Sequence, residues 1–315
     1  MKKFLLVIAI LVLATLACTS SGDKKTPVVP EAVATEDNSI VEVTEPAVQV
    51  QPEVTPEPTA TPVASNNESV EESVVLDQDG IAITLKSLNM GSLFGPELIF
   101  SIQNNSPKNI TVQAWDVSVN DVMIRTLFSE DVVSGKIANA DLTLMESDLE
   151  KAGVETIKNI ELVFRVFEST TFDKIFDSER ITITTNADPD YVQQYDESGQ
   201  LVFDQGGIRI FVQSLDDQDS FWGADVYLYI DNQTEQNIVV QVRDFSINDF
   251  MVDPMFSADV ISGKKSYDEI TFLESDLEDN GIDQINKLEF TFHIFDKDSW
   301  QTITDSDKIQ VLFNQ

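Results

Sequence analysis

The chain has 315 residues and a formal net charge of −35, from 55 Asp and Glu against 20 Lys and Arg, with one His and one Cys. This charge argues against a nucleic-acid partner, because phosphate binding needs clustered Lys and Arg. One Cys excludes an intrachain disulfide, and one His excludes any site that needs two imidazoles. With 42% hydrophobic residues the chain can build folded cores, and its length allows about two domains.

The N-terminus has a charged start and an apolar run. Lys2 and Lys3 precede eleven apolar residues, 4–14, and the small-residue stretch 14–17 leads directly to Cys18, the only cysteine. The run is too short to span a bilayer comfortably. The pattern resembles a bacterial lipoprotein signal peptide with its lipobox. That resemblance implies cleavage before Cys18, a diacylglyceryl group on its sulfur, usually acylation of the new amino group, and thus a lipid anchor on the extracytoplasmic side of the cell membrane. An ordinary secretory signal is the alternative.

The segment after Cys18 is predicted to be a disordered tether. Residues 19–75 hold seven of the 11 prolines and eleven acidic residues, but no aromatic residue. Such a composition cannot bury enough apolar surface to offset the entropy of ordering. As a flexible coil the tether would reach about 45 Å end to end, so the folded part would stand off from the membrane.

An internal repeat covers most of the remaining chain. Residues 75–185 align with 202–313 at an offset of 127 that becomes 128 after one inserted residue, and the motif Glu-Ser-Asp-Leu-Glu at 146–150 recurs unchanged at 274–278. Two such copies predict tandem domains. The predicted units are a signal peptide at 1–17, the tether at 18–73, repeat 1 at 74–186, a linker at 187–200 and repeat 2 at 201–315.

Within each copy the apolar residues mostly alternate with polar ones, which is typical of β-strands. Residues 81–85, Ile-Ala-Ile-Thr-Leu, are one example. The apolar parity switches near Asp116 and again near Asp244. We expect each strand either to contain a bulge at this point or to pass from one sheet to another, and we interpret each aspartate as an acceptor for backbone groups freed by a bulge. The only helical signal is a capping box at 147–150, repeated at 275–278.

Each copy is expected to have about seven or eight short strands, which is typical of an antiparallel β-sandwich. The sequence therefore predicts an all-β fold with two tandem antiparallel Greek-key (immunoglobulin-like) sandwiches after a disordered N-terminal tether. The tandem layout, the Ser-Gly-Lys turn at 134–136 and the motif at 146–150 resemble the immunoglobulin-like domains of unknown function in bacterial envelope lipoproteins. The resemblance implies a fold and a location. No activity is attached to it.

The sequence offers little for catalysis. His293 is the only possible imidazole base, and strand parity places it on one face with Glu289 and Thr291. Its counterpart in repeat 1 is Arg165, so we interpret the position as a solvent-facing cation among acids. There is no Gly-rich phosphate loop and no His/Cys ligand pattern. We therefore predict no catalytic residue and no enzyme activity.

A calcium site is the best of the metal options. Asp216, Asp217 and Asp219 put three carboxylates into one short loop, and calcium prefers several oxygen ligands from such a loop. Repeat 1 has no acid at the equivalent positions 89–92. A solvated acidic loop is the alternative reading, and apart from this weak calcium candidate no metal or cofactor is expected.

Loop aromatics are the candidate ligand-binding residues. Phe94 corresponds to Trp222 and Phe172 corresponds to Trp300, so each copy has two bulky side chains between predicted strands. Aromatic side chains in loops on a β-scaffold can anchor a protein or a glycan. The alternative is that they fold inward and close the ends of the sandwich.

These features lead to two hypotheses. The preferred one is a lipid-anchored cell-envelope protein with tandem non-enzymatic modules that bind an envelope protein or a glycan. Of the two copies, repeat 2 is favoured as the contact because it bears Trp222 and Trp300. The other is a structural or assembly spacer without a small ligand. Exposure of Trp222 and Trp300 would favour binding, whereas burial would remove its support at the level of residues.

Overall fold

The computed structural model describes residues 68–217, 220 and 222–313. The predicted signal peptide, Cys18 and most of the predicted tether lie outside these residues. The expectation of an all-β fold is confirmed, since the described chain is mainly β-strand with two six-residue helices.

Repeat 1 contains eleven strands and one helix. Their bounds are β1 (Ser73–Gln78), β2 (Ile81–Asn89), β3 (Glu97–Asn104), β4 (Ile110–Val119), β5 (Val122–Met123), β6 (Thr126–Leu127), β7 (Ser129–Val132), β8 (Lys136–Leu144), α1 (Glu146–Lys151), β9 (Asn159–Glu168), β10 (Lys174–Asp177) and β11 (Ile181–Thr184).

Repeat 2 follows the same order with ten strands and one helix in the described residues, because an isolated bridge between Met255 and Thr271 stands in the place of β6. Their bounds are β12 (Gln200–Gln205), β13 (Ile208–Asp216), β14 (Gly223–Asn232), β15 (Ile238–Ile247), β16 (Phe250–Met251), β17 (Ala258–Val260), β18 (Lys265–Leu273), α2 (Glu274–Asp279), β19 (Lys287–Asp296), β20 (Thr302–Asp305) and β21 (Ile309–Leu312).

The strands form three sheets. The first has five strands in the order β1-β2-β3-β8-β6. The second has the order β10-β9-β4-β5-β18-β14-β13-β12, with β11 on β9 and β7 on β4, and therefore contains strands of both repeats. The third has the order β16-β15-β19-β20, with β17 on β15 and β21 on β19. Pairing is antiparallel except between β5 and β18, which meet in parallel where Lys265 faces Val122.

Alternating apolar residues explain the cores. In repeat 1, Ile83 and Phe100 of the first sheet and Phe164 of the second are fully buried in one cluster, with the two phenylalanine rings edge-to-face at 5.4 Å. In repeat 2, Val226 of the second sheet and Phe292 of the third sheet belong to a second cluster. Each fully buried large side chain of this kind contributes about 2 kcal/mol through removal of apolar surface from water.

The predicted bulges are present. The register between β4 and β9 shifts between Trp115 and Ser118, and the register between β15 and β19 shifts between Arg243 and Ser246. Asp116 is left-handed with a φ of 53°, which is an uncommon conformation that Asp tolerates better than most residues. The parity switch in the sequence therefore located a real break in the ladder.

The role predicted for the two bulge aspartates is wrong for Asp116. Its carboxylate accepts a hydrogen bond from the ammonium of Lys297 at 2.5 Å rather than from a freed backbone group. Asp244 shares the left-handed backbone, with a φ of 50°. The common feature of the two residues is thus their backbone conformation.

The capping-box prediction is also wrong. Both helices begin two residues earlier than expected, with Met145 and Leu273 in the N-cap positions and no capping side chain. In the first turn of α1 the carboxylate of Asp148 accepts hydrogen bonds from the backbone N–H and the guanidinium of Arg125.

Candidate functional site: loop aromatics and the cleft between the repeats

The loops that carry Phe94 and Trp222 are held by the helices. The N–H of Glu146 donates to the carbonyl of Phe94 at 3.0 Å, and the N–H of Glu274 donates to the carbonyl of Trp222 at 2.7 Å. These N–H groups belong to the first turn of each helix, where no intrahelical acceptor exists. The loop carbonyl thus accepts a hydrogen bond from a helix N–H that has no intrahelical acceptor, and the same bond holds the aromatic loop in place.

The hairpins that carry Phe172 and Trp300 share another geometry. Each residue has a φ of 61°, and its N–H donates at 2.8 Å to the carbonyl four residues earlier, in Glu168 and Asp296 respectively. The ring of Trp300 stacks on Phe295 with centroids 5.6 Å apart and an angle of 20°. One face of the indole is therefore supported.

The aromatic side chains point outward. Trp222 is 58% exposed and Trp300 is 77% exposed, and Phe94 and Phe172 are exposed as well. The expectation that such residues close the ends of the core does not describe them. All four side chains are therefore accessible from solvent.

The two tryptophans do not form a single platform. Trp222 immediately precedes β14, at the end where Gly223 pairs with Leu273. The hairpin of Trp300 lies at the opposite end of β14, because the N–H of Lys297 donates to the carbonyl of Asn237, in the loop that follows β14. Repeat 2 therefore offers two separated aromatic contacts.

A cleft of about 450 Å³ lies between the two repeats. Its lining includes the following residues of repeat 1 and repeat 2: Trp115, Asp116, Arg125, Asp148, Asp259, Tyr267, Asp268 and Lys297. Lys297 bridges the carboxylates of Asp116 and Asp259 at 2.5 and 3.0 Å, and Arg125 is paired with Asp148. The ion pair of Lys297 with Asp116 joins the two repeats across the cleft.

Trp115 lines the same cleft and contacts two cations. The guanidinium of Arg165 lies over its ring at 3.8 Å from the centroid, and the ammonium of Lys297 lies at 6.0 Å. The indole N–H donates to Gln113 at 3.1 Å. Cations thus occupy the ring, which works as a cation–π contact and leaves little room for a sugar to stack.

Asp268 is the perturbed carboxyl of the cleft. Burial raises its pKa to about 6, the charge of Glu269 adds to the rise, and the N–H of Glu269 opposes it by donating at 2.9 Å. In the described part of the chain, the Asp268 carboxylate has no cation in direct contact. Desolvation without a counter-ion is the physical reason for the shift.

The interpretation of His293 as a solvent-facing cation is wrong. The side chain is buried, and its Nδ1 lies 2.5 Å from a carboxylate oxygen of Asp305. The equivalent pair in repeat 1 is Arg165 with Asp177, at 2.8 Å. Both copies therefore keep one cationic or imidazole side chain paired with the neighbouring strand, and the sequence missed this because strand parity does not show which faces are covered.

The loop predicted to bind calcium is described only in part. Asp216 ends β13 and Asp217 follows it, while Asp219 lies outside the described residues. In the part of the chain that the structure covers, no three His, Cys, Asp or Glu side chains converge as a metal site would require.

Comparisons with known proteins give no family. No protein-family model matches the chain, and no curated protein matches it significantly. Over residues 68–217, 220 and 222–313, none of the helices has the length and apolarity needed to cross a membrane.

Proposed function

We propose that the chain is a non-enzymatic binding protein of the bacterial cell envelope that contacts an envelope protein or a glycan through its loop aromatics. The observation that carries the proposal is the exposure of the Trp222 and Trp300 indoles, each held on a short loop by backbone hydrogen bonds. Rigid aromatic side chains presented in this way lose little entropy on binding.

The location is proposed from the sequence. The apolar run 4–14 and Cys18 support a cleaved signal and a lipid anchor, and the proline- and glutamate-rich residues after Cys18 support a tether. Such a tether would let the aromatic contacts search a volume above the membrane surface. The acidic folded part would be repelled by anionic headgroups, which favours a partner away from the lipid.

We also propose that each repeat is a Greek-key, immunoglobulin-like sandwich. The proposal is supported by the antiparallel order β1-β2-β3-β8 in one sheet, by the bulged strands β4 and β15 in the facing sheets, and by a core with contributions from both sheets. These features are typical of a β-sandwich in which the chain crosses between two facing sheets.

A structural or assembly role is the second candidate, favoured by the contact between the repeats. Met123 of repeat 1 packs against the core of repeat 2, and Phe211, Tyr229 and Tyr267 of repeat 2 pack against the core of repeat 1. Lys264 adds ion pairs to Asp121 and Glu161 across the contact. A rigid two-repeat body would suit a spacer.

The two candidates are separated by a binding assay with the full chain. Purified protein is sedimented with isolated peptidoglycan and, separately, captured on immobilised detergent-solubilised envelope proteins. We expect the double variant Trp222→Ala, Trp300→Ala to lose at least about tenfold in affinity for one of them, because each indole anchors a contact. The matched control is Phe94→Ala with Phe172→Ala, the equivalent exposed positions of repeat 1. Equal binding by wild type and both double variants would refute the aromatic contacts and favour the spacer role.

A further inference from the structure

The internal duplication shows how one strand edge is used. In repeat 1 the outer edge of β5 is covered by β18 of repeat 2, where the N–H of Lys265 donates to the carbonyl of Asp121 at 2.9 Å. Val122 is fully buried there. The ammonium of Lys264 bonds the carboxylates of Asp121 and Glu161 at 2.6 and 2.8 Å. A lysine-bearing strand is thus the occupant of this edge.

The equivalent edge in repeat 2 has no occupant in the described chain. β16 is the outermost strand of its sheet, and Phe250 and Met251 stand where repeat 1 has Val122 and Met123. Phe250 is 48% exposed and Met251 is 65% exposed. An uncovered strand edge with exposed apolar side chains is a template for strand addition.

The charge around this edge selects the occupant. Arg125 and Lys151, the cations of repeat 1 at this end, are replaced in repeat 2 by Asp253 and Asp279. Within the described residues neither carboxylate forms an ion pair, although Lys287 does pair with the nearby Asp249 and Glu289. The surface is therefore apolar at its centre and acidic at its rim.

A second copy of this chain fits the edge poorly. Its own equivalent of β18 is β8, which keeps Lys136 in the position of Lys264 but has Asp141 in the position of Glu269. Glu269 contacts Arg125 and Lys151, so the same docking would bring Asp141 towards Asp253 and Asp279. Like charges at such a distance oppose association, and the net charge of −35 opposes it further.

We infer that the edge of β16 is a docking surface for a lysine-rich β-strand of another protein, which adds to the third sheet as β18 adds to β5. Main-chain hydrogen bonds supply part of the affinity, Phe250 and Met251 supply apolar contact, and the acidic rim selects basic side chains. This surface does not include Trp300 or its hairpin, and the inference does not depend on the aromatic contacts proposed above.

The test uses the full chain and a defined probe. The probe is a fluorescent synthetic peptide with the sequence of residues 261–270, in which Asp268 and Glu269 are each replaced by Lys so that its rim is basic. We expect saturable binding that weakens with added salt, and a loss of at least about tenfold in Met251→Lys, because a charge enters the apolar centre and repels the probe. The unmodified peptide should bind more weakly.

Ile137→Lys is the matched control, because Ile137 is also 65% exposed but lies on β8 of repeat 1. It should bind the probe as wild type does, and so should Trp300→Ala, which separates this inference from the aromatic contacts. Absence of saturable binding at millimolar probe, or an equal loss in Ile137→Lys, would overturn the inference. Self-association of the full chain that Met251→Lys abolishes, measured by sedimentation velocity, would also overturn it, because the occupant would then be a second copy.

Discussion

Lys264 provides the sharpest test of how the two repeats are held together. Its side chain is only 9% exposed, and its ammonium lies 2.6 Å from Asp121 and 2.8 Å from Glu161, both in repeat 1. The substitution Lys264→Met keeps most of the aliphatic volume and removes the charge. It leaves two carboxylates facing each other without their shared cation.

The expected loss is about 2–3 kcal/mol of unfolding free energy. A charge-assisted hydrogen bond contributes about 1.5–3 kcal/mol, and breaking a buried ion pair costs about 3–5 kcal/mol. The lower part of that range applies, because Asp121 is half exposed and water screens its share of the interaction.

The internal repeat supplies the control. Lys136 is the counterpart of Lys264 in repeat 1, but it is exposed, so Lys136→Met should change stability by less than about 0.5 kcal/mol. Both variants of the full chain are compared with wild type by urea unfolding, followed by far-UV circular dichroism and by tryptophan fluorescence. Similar midpoints for Lys264→Met and Lys136→Met would refute the view that this cation fastens the repeats.

Three further predictions concern backbone, protonation and location. Gly223→Ala should destabilise the chain by at least about 2 kcal/mol more than Gly135→Ala in the same urea assay. A Cβ at Gly223 would lie 2.6 Å from the carbonyl oxygen of Phe272, whereas a Cβ at Gly135 would meet open space. Equal losses of unfolding free energy in the two variants would contradict this prediction. Asp268→Asn should raise the melting temperature at pH 7.5, and this gain should shrink as the pH falls from 6 towards 4. The pKa of Asp268 is raised to about 6 in the folded chain, so ionisation of its carboxyl destabilises the native state as the pH rises through this window. A gain in melting temperature that is independent of pH would argue against a desolvated carboxylate. Cys18→Ala should move the protein from the membrane to the soluble fraction of cells, and membrane retention would contradict the lipid anchor.

The sequence predicted much of the local structure because alternating apolar residues have a direct physical meaning in a strand. Residues 81–85 form part of β2 with Ile81, Ile83 and Leu85 buried. The parity switch near Asp116 located the bulge, since a strand cannot change its buried face without breaking the ladder. These inferences depend only on neighbours along the chain.

Patterns of neighbouring residues did not predict hydrogen-bond partners that are distant in sequence. His293 alternates with buried phenylalanines, so parity predicts exposure, yet Asp305 on the adjacent strand covers its ring nitrogen. The helix N-terminus was misplaced for a similar reason, because α1 begins at Glu146, whose N–H donates to the carbonyl of Phe94 in a loop distant in sequence. A helix N–H that lacks an intrahelical acceptor can be satisfied by a distant loop as well as by a local capping side chain.

What the sequence alone determined is the β-rich nature of the chain, the duplication, the positions of the bulges and the pairing of the loop aromatics between copies, because periodicity and internal identity encode them. Only the tertiary structure decided that one sheet runs through both repeats, that Lys264 is buried whereas its counterpart Lys136 is exposed, and that the edge of β16 lacks the strand that covers β5. Two similar copies acquire different surroundings once they pack together, and that difference follows from their contacts in space.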